Sequence, residues 1–435
     1  MTPDLLDLRR RLADSDASVA VVGQGYVGLS LALAAAGAGF RVIGYDIDGE
    51  RIADLAAGRL VVPGVDEQAF GEGTATGRLS FTTDTARLGE ADVICICVPT
   101  PVADHSPDLS YVRQAATTVG TVLRTGALVV LESTTYPGTT EELVAPLLEQ
   151  GGLVAGRDFL LAYSPERVDP GNAAWGLRNT PRVVGGATPE ATEAAVVFYS
   201  RFVDKVVAVS TTRVAETAKL LENTFRHVNI ALVNELAMLC HEIGIDTWEV
   251  IDAAATKSFG YMPFYPGPGV GGHCIPLDPT YLAWQFRRAG RRFGVLEQAQ
   301  EVNEGMPAYV ASRVGSILND VGRAVKGANI LVMGVTYKPD VGDTRESPAL
   351  AAMQALRRRG ADVRFHDVFI DEVPLDGDTV RRVDDLRGAI ADADLVVLLT
   401  PHTGYDLDEL AANARLIFDT RNAFREDRRP NVIPL

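Results

Sequence analysis

S-V-A-V-V-G-Q-G-Y-V-G, residues 18 to 28, reads as a short apolar strand running straight into a glycine turn. Gly23, Gly25 and Gly28 complete G-x-G-x-x-G, an amphipathic helical stretch follows, and a second strand, Arg41 to Tyr45, ends in Asp46. The acid stands 18 residues after the last glycine. Glycines at these places permit a tight turn and let a pyrophosphate approach the N-terminus of the helix, while the acid accepts from ribose hydroxyls. Strand, glycine turn, helix, strand and acid together predict a doubly wound α/β domain that binds a dinucleotide. Asp46 favours NAD over NADP, because a carboxylate repels a 2′-phosphate.

The chain has 435 residues, enough for two or three domains each with its own core. Its four cysteines, Cys95, Cys97, Cys240 and Cys274, show neither metal nor disulfide spacing, and no metal site is expected. Cys95 and Cys97 lie in an apolar strand and read as core. The N-terminus mixes both charge signs at helical spacing without an apolar run, so it does not read as a signal peptide, and a cytoplasmic protein is expected. A net charge of −16 argues against nucleic acid and anionic membranes as partners. Only five of the 41 basic residues are lysines, and Lys219, Lys257 and Lys338 stand out as places where a compact ammonium is kept.

Further strands are predicted at Asp92 to Val98, Ala127 to Leu131 and Phe159 to Tyr163. Polar residues follow each at the carboxyl end, which borders the ligand crevice of an open parallel sheet and makes Thr134 and Glu166 site candidates. From about Thr211 the pattern turns to long helix: Ala215 to Cys240 lacks Pro and Gly, and Lys219, Asn223 and Arg226 share a face. A second helical stretch spans Leu296 to Val321, and the pair suggests a domain bridge or a dimer interface. The last third repeats the opening in weaker form, with strands at Asn329 to Gly334, Val363 to His366, Leu395 to Leu399 and Leu416 to Phe418. Its first turn, G-V-T-Y-K-P-D, lacks the glycine fingerprint and carries Lys338; with Arg421 at a later strand end, this suits a nucleotide diphosphate. Between these regions, F-Y-P-G-P-G-V-G-G-H-C-I-P-L-D (264 to 278) sets Cys274 among four glycines and three prolines. Backbone of that kind can approach a ligand closely, although a Gly/Pro loop with an incidental cysteine has the same look.

These pieces together resemble the UDP-glucose/GDP-mannose dehydrogenase family over essentially the whole chain. The motifs that carry the resemblance are G-Q-G-Y-V-G (23 to 28), V-P-T-P (98 to 101), E-S-T-T-Y-P-G-T-T (132 to 140), S-P-E-R-V-D-P-G-N (164 to 172), A-K-L-L-E-N (218 to 223), P-G-P-G-V-G-G-H-C-I-P (266 to 276) and K-P-D-V-G-D-T-R-E-S (338 to 347). The resemblance implies two Rossmann-like doubly wound parallel-sheet domains joined by a central helical domain. The expected boundaries are an NAD-binding domain at 1–210, a helical dimerisation domain with the cysteine loop at 211–320, and a UDP-binding domain at 321–435. It further implies a homodimer and a four-electron oxidation of a hexose C6 alcohol to a uronate, using two NAD.

Residue roles follow from the same resemblance. Cys274 is the nucleophile that holds the aldehyde as a thiohemiacetal and then a thioester. Lys219 and Asn223 stabilise the C6 oxyanion, Asp278 and Thr134 position a water or take the first proton, and Glu166 serves thioester hydrolysis. Cofactor contacts are expected at Gly23, Gly25, Tyr26, Val27, Gly28, Asp46, Arg51, Thr100, Thr134 and Arg345. Substrate contacts are expected at Glu166, Arg167, Lys219, Asn223, Tyr265, Gly271, Lys338 and Arg421, with Lys257 reaching across the dimer. Where glucose- and mannose-oxidising relatives read S-C-x-P-K-D and N-P-E-F, this chain has H-C-I-P-L-D and S-P-E-R. The run Phe259 to Gly269 is most similar to the UDP-N-acetylhexosamine branch, so UDP-N-acetylglucosamine is the expected substrate. UDP-N-acetylmannosamine, UDP-glucose and dTDP-glucose are alternatives. A two-electron hydroxyacid-type dehydrogenase on the same NAD domain is a more remote one.

Overall fold

The computed structural model describes residues 3–103, 106–169, 172, 174–272 and 275–435. Two compact units emerge, Met1–Glu222 with Thr280–Arg291, and Asn223–Pro279 with Arg292–Leu435. The first is built on an eight-stranded sheet: β1 (Ser18–Val22), β2 (Arg41–Tyr45), β3 (Leu79–Thr82), β4 (Val93–Ile96), β5 (Leu128–Leu131), β6 (Leu160–Tyr163), β7 (Arg182–Gly186) and β8 (Val206–Val209). Their order is β8-β7-β6-β5-β4-β1-β2-β3. All neighbours are parallel except β6 and β7. Val22 lies opposite Tyr45 on one side and Ile96 on the other, so the order reverses at β1 and opens the crevice where such sheets bind nucleotides. Strand residues alternate between two cores, Ala20 and Val22 facing one and Val19 and Val21 the other, which is why the strands read as unbroken apolar runs.

In the second unit β9 (Asn329–Met333), β10 (Asp362–His366), β11 (Leu395–Leu398), β12 (Ile417–Asp419) and β13 (Val432–Pro434) form a parallel sheet ordered β10-β9-β11-β12-β13. It too is covered on both faces: Ile330 and Val332 enter one core, Leu331 and Met333 another. The helix Pro348–Arg358 packs on the first of these and starts in the R-E-S-P run, where the Ser347 hydroxyl accepts from the Ala349 N–H and Pro348 fills a position that needs no donor. The expected fold class is thus the observed one, two doubly wound sheets with a helical region between them in sequence. The strands β3, β7, β8 and β13 were not anticipated; β3, β8 and β13 contain no fully buried residue.

Two long helices supply that central region. Thr212–Ile243 runs from the first unit into the second, and Gly294–Asp320 passes through Gly305, Pro307 and Gly315 without a break. Among the described residues no helix is long and apolar enough to cross a membrane.

Candidate active site

At the end of β1 each fingerprint glycine has a separate reason. Gly23 has φ +95°, and a Cβ there would lie 2.6 Å from the Cys97 carbonyl oxygen; a Cβ on Gly28 would collide with the Gly23 carbonyl oxygen. A Cβ on Gly25 would meet nothing within 4 Å, so the protein leaves open the place a pyrophosphate needs. Asp46 accepts from the Gln24 N–H at 2.7 Å and the Asp48 N–H at 3.0 Å and pairs with Arg51 at 3.0 Å. The same Arg51 also reaches Asp48, itself the N-cap of the next helix. An open glycine, a helix N-terminus and a fixed carboxylate fit NAD, with Tyr26 and Val27 opening the helix behind them.

Around the neighbouring strand ends, Thr100 is buried and its carbonyl accepts from the Tyr281 hydroxyl. Ser133 and Thr135 are buried while Thr134 between them is only partly so, which leaves Thr134 the reachable hydroxyl of the E-S-T-T run. Ser133 Oγ donates to the Val98 carbonyl at 2.7 Å, tying the ends of β5 and β4 together. Glu166 Oε1 accepts from the N–H groups of Arg167 and Val168 at 2.6 and 2.8 Å. Arg167 is engaged bidentately by Glu222 and by the Pro181 carbonyl, so in this structure its guanidinium fastens the loop to the long helix.

Lys219 and Asn223 are both buried on that helix, one turn apart. Arg226 is exposed, and the buried polar row continues instead through His227 and Asn234. In the second unit this row stitches down the cysteine loop. Asn234 Oδ1 accepts from the Gly267 N–H at 3.0 Å, His227 hydrogen-bonds the Ile275 backbone, and Asn223 Nδ2 donates to Asp278 at 2.5 Å. Asn303 closes the row, accepting from Asn234 at 2.9 Å and donating to the His227 carbonyl at 3.1 Å. Burial pulls the His227 imidazole down, keeping it neutral. His273 and Cys274 lie outside the described residues. His227, Asn234 and Asn303 were missed in the sequence, although their spacing of four and eleven from Asn223 was the available signal for the first two.

The same loop explains its glycines. A Cβ on Gly271 would meet the Glu346 carbonyl at 2.7 Å and the Tyr337 side chain at 2.8 Å, and Gly272 donates to the Arg345 carbonyl at 3.1 Å. Hence the K-P-D-V-G-D-T-R-E-S segment is also a floor for this loop. Lys338 is half-buried within that segment, and the Arg345 side chain is taken bidentately by Asp343. Gly267 has room for no side chain because the Arg421 guanidinium crosses it. Burial draws that guanidinium down to about 10, so Arg421 is a desolvated cation suited to an anionic group. Tyr265 stacks on Trp248 at 5.2 Å, and Lys257 is exposed, its ammonium 5.0 Å from the Phe259 ring.

A fingerprint turn with its acid, and a second sheet with basic residues at its strand ends, define an NAD-dependent oxidoreductase with a separate nucleotide-binding domain. The chain belongs to the UDP-glucose/GDP-mannose dehydrogenase family: residues 17–203 match its NAD binding domain, 213–305 its central domain and 331–426 its UDP binding domain. It is 36% identical to a UDP-N-acetyl-D-mannosamine dehydrogenase of Pyrococcus horikoshii over 94% of this chain and 96% of that one. It is 39% identical to a UDP-N-acetyl-D-glucosamine 6-dehydrogenase of Pseudomonas aeruginosa over 82% and 83%. The solved UDP-N-acetylmannosamine dehydrogenase structure from P. horikoshii superposes with a TM-score of 0.87, covering 96% of this chain and 98% of that one.

Proposed function

We propose that the protein oxidises the C6 alcohol of a UDP-N-acetylhexosamine to the carboxylate, in four electrons, with Cys274 as covalent nucleophile. The observation that carries this reading is the Asn223 to Asp278 hydrogen bond on the helix that also presents Lys219, beside the loop that contains Cys274. NAD bound at the first turn would supply the hydride acceptor for each of the two oxidations, a fresh NAD for each. Lys219 and Asn223 donate to the C6 oxygen as charge develops on it. Asp278, with Thr134, takes the alcohol proton or holds the water. The Cys274 sulfur adds to the aldehyde carbon, so the intermediate stays attached until oxidised to the thioester. Glu166 then serves hydrolysis. Arg421 and Lys338 hold the diphosphate, with Tyr265 and Gly271 lining its approach. The corresponding division is an NAD-binding part to residue 210, a central part to 320 and a UDP-binding part beyond, in a cytoplasmic enzyme.

UDP-N-acetylglucosamine is the first substrate to offer, because the F-G-Y-M-P-F-Y-P-G-P-G run resembles that branch. UDP-N-acetylmannosamine is the second reading, favoured by the full-length relatives that act on it. Each is to be incubated with NAD beside UDP-glucose and dTDP-glucose, counting NADH per sugar. Two NADH from an N-acetylhexosamine are expected, and uronate production by Cys274→Ser at the wild-type rate sinks the covalent route.

A homodimer is part of the reading. Val214, Leu221, Phe225, Leu232, Leu239 and Ile243 are all exposed, and their spacing of seven and four residues makes an apolar seam along the helix Thr212–Ile243. A second copy of the same helix would cover it. Sedimentation should show a dimer that Leu232→Glu converts to monomer.

A further inference from the structure

Beneath Glu166 lies a charged cluster to which the reaction as proposed assigns no part. Arg182 opens β7, the strand antiparallel to its neighbour β6, and its side chain is 4% exposed. Each arm of the guanidinium is engaged. Nε donates to Ser164 Oγ at 2.9 Å, NH2 to Glu132, and NH1 to Glu166 Oε2 at 3.2 Å. Its Cζ sits 4.4 Å from the centroid of the Tyr199 ring, whose hydroxyl donates to Glu132 Oε1 at 2.5 Å. Burial works against the guanidinium charge, and the Glu132, Tyr199 and Glu166 groups facing it hold its pKa well above the usual value. The cluster has an inner and an outer end. Glu132 is wholly buried and held by Tyr199; Glu166 is the half-buried member, with one oxygen on two backbone N–H groups and the other on Arg182. A planar guanidinium that bridges two carboxylates, with one bond to each, fixes direction as well as charge.

We propose that Arg182, itself anchored by Glu132 and Tyr199, is the positioning residue that aims Glu166 for thioester hydrolysis. This rests on the reading of Glu166 as the carboxylate of that step. In it, Glu166 removes a proton from water, the oxygen adds to the thioester carbonyl carbon, the C–S bond breaks, and Cys274 departs as thiolate. A carboxylate turned from its line slows this step and leaves both earlier oxidations intact.

The test follows NADH formation after rapid mixing for wild type, Glu166→Gln, Arg182→Ala and Arg182→Ala with added guanidinium ion. For Arg182→Ala a burst of two NADH per active site is expected, then a steady phase slower by about 100-fold. Because only the last step slows, KM for the nucleotide sugar should fall along with kcat while kcat/KM stays unchanged, and guanidinium ion should restore the steady phase. A lower rate with no burst, or a burst that guanidinium leaves untouched, means the cluster only braces the strand ends and overturns the proposal. If Glu166→Gln turns over like wild type, the reading of Glu166 fails first and the role of Arg182 falls with it. Should Arg182→Ala not fold, Glu132→Gln carries the test, since it loosens the anchor while keeping the buried shape; a smaller burst is expected, and wild-type kinetics overturn the proposal.

Discussion

The two sheets begin with the same turn and use it differently. After β1, Gly23 donates to the Tyr45 carbonyl at 2.8 Å and Gln24 to Asp46 at 2.7 Å; after β9, Gly334 donates to the His366 carbonyl at 2.9 Å and Val335 to Asp367 at 2.7 Å. Both glycines have positive φ and press on the carbonyl at the end of the next strand across, Cys97 or Thr400. The frames then part. Asp46 meets Arg51, a half-exposed side chain, whereas Asp367 is wholly buried under His402, whose Nε2 lies 3.0 Å away. The Asp340 N–H donates to His402 Nδ1 at 3.0 Å, so the imidazole proton sits on Nε2 and is given to Asp367. At the place of Gly25 stands Thr336, donating to the Lys338 carbonyl at 2.9 Å. One acid remains available to a ribose; the other has become a strut. The turn alone therefore does not define a dinucleotide site; an open second glycine and an acid that keeps an edge at the surface do.

Substitutions at matched positions test this contrast. Gly28→Ala should have the largest effect, since its methyl would meet the Gly23 carbonyl oxygen and the turn itself must shift. Loss of NAD binding together with a lower melting temperature is expected. Gly25→Thr, which copies Thr336, should leave melting unchanged because the space is open, yet weaken NAD by about 100-fold or more. That figure follows from displacing two charge-assisted hydrogen bonds of about 1.5–3 kcal/mol each. Titration of NAD fluorescence quenching beside calorimetry separates the two results, and a Gly25→Thr protein that still binds NAD tightly breaks the comparison. Arg421→Ala should raise KM for the nucleotide sugar about 10-fold or more, by removing a charged hydrogen bond of that strength, with KM for NAD unmoved.

How far the sequence foretold this depends on the range over which each feature is encoded. The fingerprint turn lies within eleven residues, so it was legible. The loop around Cys274 was legible as an unusual stretch, but its stitch to Asn234, and the bond from Asn234 on to Asn303, join residues 33 and 69 apart in the chain. Arg182 sits in P-R-V-V-G-G, with nothing local to show that it reaches Glu132, fifty residues earlier. His402 is likewise 35 residues from the acid it covers. Buried polar pairs of this kind leave no period in the sequence, since each partner is a single polar residue in an otherwise ordinary segment. The exposed seam of Thr212–Ile243 was mixed. Helical spacing was visible, yet which apolar row faces the core and which faces outward is settled by packing.

The smallest expected effect is also the sharpest test of Asp367 as a strut. Burial alone would raise its carboxyl, but the hydrogen bonds from His402 and from the Val335 and Phe369 N–H groups outweigh burial and hold it below the ordinary 3.8. A carboxyl depressed on folding contributes stability that is fully present above its unfolded value and is lost as pH falls through the folded one. Asp367→Asn should therefore melt a few degrees below wild type at pH 6, on the order of 1–2 kcal/mol for one buried charged hydrogen bond. The gap should close as pH drops below 3.8. NAD affinity should not change at any pH, whereas Asp46→Asn should weaken NAD. A gap at Asp367 that stays constant with pH would show that shape, and not the ionised carboxylate, is what the second turn retains.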